Sequence, residues 1–330
     1  GGIAFFPRHG QYPEDLLLRA ESAVRHAKVL GRNRVQTYST RLQVQSAERN
    51  QLLSGLQRAV DQGLFELHYQ PQVDLRTGQV EGMEALLRWT HPDLGPISPA
   101  RFVPVLEDCG LIIQVGEWVV RAAAKQAAKW SEQGHAFTVA VNVSAHQFLE
   151  PDFSQTVKRA LSDVGLPPAR LELELTESLL MKNVNTSRDM LRELSQAGFK
   201  IAMDDFGTGY SSLAHLRRFP VDALKIDRAF INGLSDPEGK AIVRTIVGLS
   251  RVLDLRVVAE GVEDVEQASF LAAEGCDVAQ GFWIGRPVDV EALDQWLQSW
   301  RPGQVVHDAI CSGSAKAVSP GASVRVQHTP

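Results

Sequence analysis

Six residues with hard oxygen donors are spread along the chain: Glu84, Asn142, Glu174, Asp204, Asp205 and Glu260, with Lys225 and Arg88 as nearby candidate cations. Carboxylates plus one amide are the donors expected around Mg²⁺ or Mn²⁺ rather than zinc. The adjacent pair Asp204-Asp205 could serve two ions, and two ions about 3.5–4 Å apart can clamp the attacking and leaving oxygens of a phosphodiester. The chemistry this set predicts is metal-assisted hydrolysis of a phosphate diester. Gly207 and Gly209 follow the pair and permit a tight, backbone-rich loop. No Walker-type lysine follows them, so loop mobility explains these glycines better than a phosphate cradle does.

These residues need a scaffold that aims them at one place. Strand-like runs at Phe65–Gln72, Val80–Trp89, Phe137–Ser144, Leu171–Thr176, Lys200–Phe206, Ala223–Ile226, Arg256–Glu260 and Asp277–Phe282 alternate with helical periodicity between them. Eight strands with intervening helices predict a (β/α)8 barrel, with a doubly wound open sheet as the alternative. The first connection, Leu75–Gln79, contains Arg-Thr-Gly and is too short for a crossover. It predicts an antiparallel hairpin between the first two strands. Strand side chains alternate faces. That places Glu84, Asn142, Glu174, Asp204, Lys225 and Glu260 opposite the apolar faces of their strands, hence inside the barrel and mostly near the strand C-termini, where barrel enzymes work.

The 330 residues carry 44% hydrophobic and 22% charged side chains, ordinary for a globular chain. A formal charge of −5 argues against a dedicated binder of duplex DNA or RNA. Cys109, Cys276 and Cys311 lie far apart, without zinc or disulfide spacing, and suit a reducing compartment. No apolar run approaches the ~18 residues of a membrane span. No signal peptide is visible, and a cytoplasmic location follows, including as the cytoplasmic part of a membrane-anchored sensor. Residues 1–39 carry a short strand, a turn and one amphipathic helix from about Glu14 to Leu30, stopped by Gly31. That is too little to bury a core, so the chain is expected to start inside a longer protein. Residues 40–302 form the barrel domain, and 303–330, rich in Gly, Ser, Ala, Pro and Val, a flexible tail.

The ordered set Tyr69-Gln70-Pro71, Glu84-Ala85-Leu86-Leu87-Arg88-Trp89, Asn142-Val143-Ser144, Glu174-Leu175-Thr176-Glu177-Ser178, Asp204-Asp205-Phe206-Gly207-Thr208-Gly209, Leu224-Lys225-Ile226-Asp227, Ala259-Glu260-Gly261-Val262-Glu263 and Gln280-Gly281-Phe282 resembles the EAL family of cyclic di-GMP phosphodiesterases. The resemblance implies a modified TIM-type barrel that linearises cyclic di-GMP to pGpG. It implies one metal on Glu84, Asn142, Glu174 and Asp204, and a second between Asp204 and Asp205 with Glu260 close by. Lys225 would position or help activate the attacking water, so that Lys225, Glu84, Glu260 and Glu177 form the catalytic set. Gln70, Arg88 and Gln280 would contact substrate or support the site, and Glu177 would brace the glycine-rich loop. A homodimer through the barrel is also implied. A catalytically weak cyclic di-GMP receptor is the competing reading, disfavoured because every metal-binding position is intact; a barrel acting only as a protein-interaction scaffold is a third.

Gly2-Ile3-Ala4-Phe5-Phe6-Pro7, Ala20-Glu21-Ser22-Ala23, Ala27-Lys28 and Gly31-Arg32-Asn33 resemble the end of a GGDEF diguanylate cyclase domain. Glu21 and Arg25 stand where that family usually has Asp and Tyr, and the naming motif is absent. The implied upstream partners are GGDEF and sensor domains. Lys28 and Arg32 are read as a solvated helix face.

Overall fold

The computed structural model describes residues 1–29, 33–207 and 216–303. The expectations for Gly31, Arg32, Thr208, Gly209, Ser211, Cys311 and the tail from residue 304 lie outside the described residues. Two compact units separate: Gly1–Phe65 with Trp89–Ile112, and Glu66–Arg88 with Ile113–Pro330.

The second unit holds the barrel. Its strands are β1 (Phe65–Asp74), β2 (Val80–His91), β3 (Thr138–Asn142), β4 (Leu171–Thr176), β5 (Lys200–Phe206), β6 (Ala223–Ile226), β7 (Arg256–Ala259) and β8 (Val278–Ala279). From β2 through β8 every neighbouring pair runs parallel. β1 is antiparallel to β8 and also pairs with β2, which closes the eight-stranded barrel. The hairpin expected at Leu75–Gln79 is present: Gly78 N–H donates to Asp74 O at 2.8 Å, and Gly78 takes φ 70°. The open-sheet alternative is excluded by this closure.

The alternation predicted from sequence explains the strand burial. Leu171, Leu173 and Leu175 of β4 are fully buried, and so are Ile201 and Met203 of β5 and Leu224 and Ile226 of β6. Burying each such side chain contributes about 1.5–3 kcal/mol. Two strands are shorter than expected. β3 stops at Asn142 because Ser144 turns the chain into a capped helix, Ala145–Phe148, in which Ser144 and Gln147 form a reciprocal capping box. β8 keeps only two residues of Asp277–Phe282, since the backbone leaves the ladder after Ala279.

Short helices start directly after three strands: Ala145–Phe148, Glu177–Lys182 and Arg228–Asn232. Four to six residues cannot display a 3.6-residue period, which is why sequence reading passed over them. The longer helices follow ordinary stop and start signals. In Val265–Glu274, Asp264 accepts from Gln267 N–H at 2.8 Å, and Gly275 ends the helix at φ 80°.

The first unit has helices Pro13–Val29, Thr40–Gln62 and Pro99–Asp108, and a small parallel pair, Gly2–Ile3 with Gln36–Thr37. Trp89, in the continuation of β2, packs edge-on against Phe102 at 5.6 Å. Among the described residues no helix is long and apolar enough to cross a membrane.

Candidate active site

The polar faces of the parallel strands meet near their C-terminal ends. Across the ladder Asn142 stands beside Glu174, and Thr176 beside Asp204. Neighbours in register share a face, so these side chains point into the barrel together. Lys225 lies at their centre, 1% exposed, with Nζ 2.7 Å from Glu174 Oε2, 2.5 Å from Glu260 Oε1, 3.7 Å from Asp204 Oδ1 and 3.8 Å from Glu84 Oε2. Four carboxylates, three on strands and Glu260 just past the end of β7, therefore share one ammonium.

Charge imbalance inside a dry barrel decides the protonation of this cluster. Burial and the neighbouring Glu84 carboxylate push Glu174 well above the usual carboxylate range, against the pull of Lys225. Burial, with Asp204 and Glu84, lifts Glu260 to about 7 despite Lys225. Burial alone would also raise Glu84; Lys225 and hydrogen bonds from Gln280 and Asn142 outweigh it and hold Glu84 below its ordinary value. Burial opposes charge on Lys225, but the four carboxylates prevail and raise it far above an ordinary lysine.

Glu84 is held on both oxygens. Asn142 Nδ2 donates to Oε1 at 2.7 Å, and Gln280 Nε2 donates to Oε2. Gln280 Nε2 also donates to Gln70 Oε1 at 3.0 Å, and Gln70 Nε2 donates to Gly285 O at 2.9 Å. Gly281 makes this placement possible. A Cβ there would lie 2.1 Å from Val262 O and 2.2 Å from Val262 N, so only glycine allows Val262 N–H to donate to Gln280 O at 3.0 Å.

At the end of β5 the ladder with β6 shifts register between Met203 and Phe206. Asp205 takes φ 56°, and its N–H donates to Asp204 Oδ1 at 2.9 Å. A bulge of this kind breaks the strict alternation that would send adjacent side chains to opposite faces. Asp205 is half-buried, and burial and Asp204 raise its carboxyl.

Glu177 is 2% exposed and opens the helix that follows β4; its Oε2 accepts from Gly207 N–H at 3.2 Å. That is the loop contact expected from sequence. The rest of that loop, residues 208–215, lies outside the described residues. Arg88 is the residue that does not join the cluster closely: its guanidinium donates to Leu87 O at 3.0 Å and forms no ion pair within 4.0 Å among the described residues.

A cleft of about 240 Å³ opens beside Glu84, Glu260, Gln70 and Gln280 and is rimmed by Arg228 and Phe282. Phe282 is exposed, with the Arg286 guanidinium 4.2 Å from its ring centre. Arg228 and Arg286 were not singled out from sequence, because lone arginines near a strand end carry no spacing signal; Phe282 stood there only as part of the Gln280-Gly281-Phe282 motif. A larger cavity of about 530 Å³ lies among the strand N-termini, between Thr138, Lys200, Asp222 and Arg256. Chemistry selects the smaller cleft, which alone of the two adjoins the carboxylate cluster at the catalytic end of the barrel.

The donor set fits a hard divalent cation. Both oxygens of Glu174 are buried without a hydrogen-bond donor. Lys225 Nζ, 2.7 Å from Oε2, meets this carboxylate as an ion pair. Lone pairs of this kind, on oxygen ligands only, suit Mg²⁺ or Mn²⁺. Among the described residues no three His, Cys, Asp or Glu side chains converge as metal ligands; the carboxylates are arrayed around Lys225 instead.

Residues 54–287 match the EAL domain. The bifunctional diguanylate cyclase/cyclic di-GMP phosphodiesterase MucR of Pseudomonas aeruginosa is 45% identical over 294 residues, which is 88% of this chain and 43% of that protein. The cyclic di-GMP phosphodiesterase PdeR of Escherichia coli is 35% identical over 300 residues, 91% of this chain and 45% of that protein. The chain thus spans less than half the length of these relatives. The solved MucR phosphodiesterase in complex with c-di-GMP is similar with a TM-score of 0.72 and 48% identity, over 74% of this chain and 99% of that chain. A match across most of the barrel, together with relatives of this identity, establishes that the chain belongs to the EAL domain family.

Proposed function

We propose that the barrel hydrolyses cyclic di-GMP to linear pGpG with divalent metal ions. One observation carries this reading: Lys225 is gathered with Glu84, Glu174, Asp204 and Glu260 within 4 Å at the C-terminal mouth of the barrel. The names of the relatives MucR and PdeR support the substrate. Glu84, Asn142, Glu174 and Asp204 would hold one ion, and Asp204 and Asp205, with Glu260 close by, a second. Bound there, Mg²⁺ or Mn²⁺ would neutralise phosphate charge and acidify water. Water attacks one phosphorus, a new P–O bond forms, and the bond to the 3′ oxygen breaks. Lys225 orients the water, and Glu260, whose Oε1 lies 2.5 Å from Lys225 Nζ, is placed to accept its proton. The proton that completes the 3′ hydroxyl comes from solvent. Gln70 and Gln280 line the cleft and would contact the substrate, and Arg88 would contact it or support the site.

Purified protein incubated with cyclic di-GMP should release pGpG in Mg²⁺ or Mn²⁺ and nothing in excess chelator. Chromatography of the products decides it; undiminished cleavage with chelator would sink the metal-dependent reading.

Glu177 is proposed to brace the loop after Asp205 through Gly207. Losing a contact that orients metal ligands costs about 10–100-fold in affinity or activity. Glu177→Ala should lower turnover by that order and demand more Mg²⁺, with little change in melting. Kinetics across a Mg²⁺ titration on samples with recorded melting curves test it. Full activity at low Mg²⁺ would remove the role.

Residues 1–39 are proposed as the C-terminal part of a GGDEF domain, 40–302 as the phosphodiesterase domain and 303–330 as a tail. Upstream GGDEF and sensor domains, a homodimer through the barrel and a cytoplasmic setting belong to the same proposal.

A further inference from the structure

Gln72 lies on β1 two residues beyond Gln70, on the same face of the strand, and is 2% exposed. Its Nε2 donates to Gln280 Oε1 at 2.9 Å. Gln280 Nε2 donates in turn to Gln70 Oε1 and Glu84 Oε2. These bonds form one directed chain. A carboxylate only accepts, so the end of the Gln280 amide facing Glu84 must be the NH₂. Its opposite end is then a buried carbonyl in need of a donor, and Gln72 is that donor. If the amide turned over, its carbonyl would face the Glu84 carboxylate and its NH₂ would face the NH₂ of Gln72. Glu84 and the anchored Gln70 thus set the direction of the Gln280 amide, and Gln72 supplies the donor that its buried carbonyl then needs.

The barrel makes room for this arrangement. Gln72 Oε1 lies against Gly82 of β2, where a Cβ would come within 2.8 Å of it. Gln70 is separately anchored through Gly285 O, so its own Oε1 stays turned toward Gln280. Gln72 reaches the Glu84 carboxylate through Gln280, to which it donates.

We propose that Gln72 is a positioning residue that satisfies the Gln280 carbonyl, keeps the Gln280 amide seated against Glu84, and thereby holds Glu84 in the orientation that binds a divalent ion. This rests on the reading of Glu84 as a metal ligand. Removing a contact of this kind lowers metal affinity about 10–100-fold.

The test compares Gln72→Met, Gln72→Glu, Gln280→Met and the Gln72→Met/Gln280→Met double variant. Mn²⁺ affinity is measured by electron paramagnetic resonance without substrate, and kcat and KM are measured across a Mg²⁺ titration. Gln72→Met keeps the length and removes the donor; it should weaken Mn²⁺ binding about tenfold. Its turnover should fall at limiting Mg²⁺ and recover at saturating Mg²⁺, with KM for cyclic di-GMP nearly unchanged. Gln72→Glu opposes a carboxylate to the Gln280 carbonyl and should be worse than Met. The double variant should lose no more Mn²⁺ affinity than Gln280→Met alone, because the two residues act in series. Unchanged Mn²⁺ affinity in Gln72→Met, or losses that simply add in the double variant, would overturn the proposal. If wild type binds Mn²⁺, responds to Gln72→Met and yet cleaves no cyclic di-GMP, the functional reading fails and the positioning role stands.

Discussion

Lys225→Met should abolish turnover and, unusually for a catalytic substitution, also lower the melting temperature of the metal-free protein. Lys225 is the shared cation for Glu84, Glu174, Asp204 and Glu260, within 2.5–3.8 Å of each. Methionine keeps much of the volume and removes the charge. Breaking a buried ion pair from one side costs about 3–5 kcal/mol, because the remaining charge is left uncompensated. Here more than one carboxylate is left, and protonation relieves part of the cost. Loss of a group that handles the attacking water should slow turnover at least about 10²-fold. Mg²⁺ should narrow the melting gap, since a ligand at 100 times its Kd stabilises by about 2.7 kcal/mol. Melting curves in chelator and in Mg²⁺, beside activity assays, check both halves. A metal-free melting temperature equal to wild type would show that Lys225 does not balance the cluster.

Glu174→Gln should act with the opposite sign on stability while also removing activity. Glu174 is buried, and Glu84, Asp204 and Glu260 crowd it with like charge. Its folded-state pKa is raised well above 4.5. The unfolded carboxyl releases its proton near 4.5, so the folded state is increasingly penalised as pH rises above that value and unpenalised below it. Glutamine keeps the shape and removes the penalty, so the metal-free variant should melt higher at neutral pH and match wild type in acid. Glu84→Gln is the internal contrast. Glu84 is held below its ordinary pKa, and two amide donors depend on its oxygens; its neutralisation should lower the melting temperature. Both variants should lose turnover by about 10²-fold or more as metal ligands. A neutral-pH melting temperature for Glu174→Gln below that of wild type would refute the charge argument.

The barrel was legible because its signal is repeated. β4, β5 and β6 run where the alternation of Leu, Ile and Met with polar residues placed them. The same alternation put Glu84, Asn142, Glu174, Asp204, Lys225 and Glu260 on one side, and the structure brings all six together. What stayed hidden depends on geometry that has no period. β8 ends early because Gly281 must pass against the Val262 backbone, a contact between segments that sequence spacing does not reveal. Gln72 was passed over as one more polar residue near Gln70, although its shared parity with Gln70 was the available signal. The cation at the centre was only half legible: Lys225 was read as a water-positioning group, and its further part in balancing four carboxylates shows only once their distances are known.

The left-handed backbone at Asp205 bears on how such a site can change over evolutionary time. Asp, Asn and Gly are the residues that tolerate φ near 56° at little cost, while others pay roughly 1–2 kcal/mol. Two of those three carry no charge. Drift at this position is therefore channelled toward Asn or Gly, replacements that spare the bulge and delete a carboxylate. A descendant could abandon chemistry in one step and inherit an intact barrel, with its cleft free for selection to use in recognition alone.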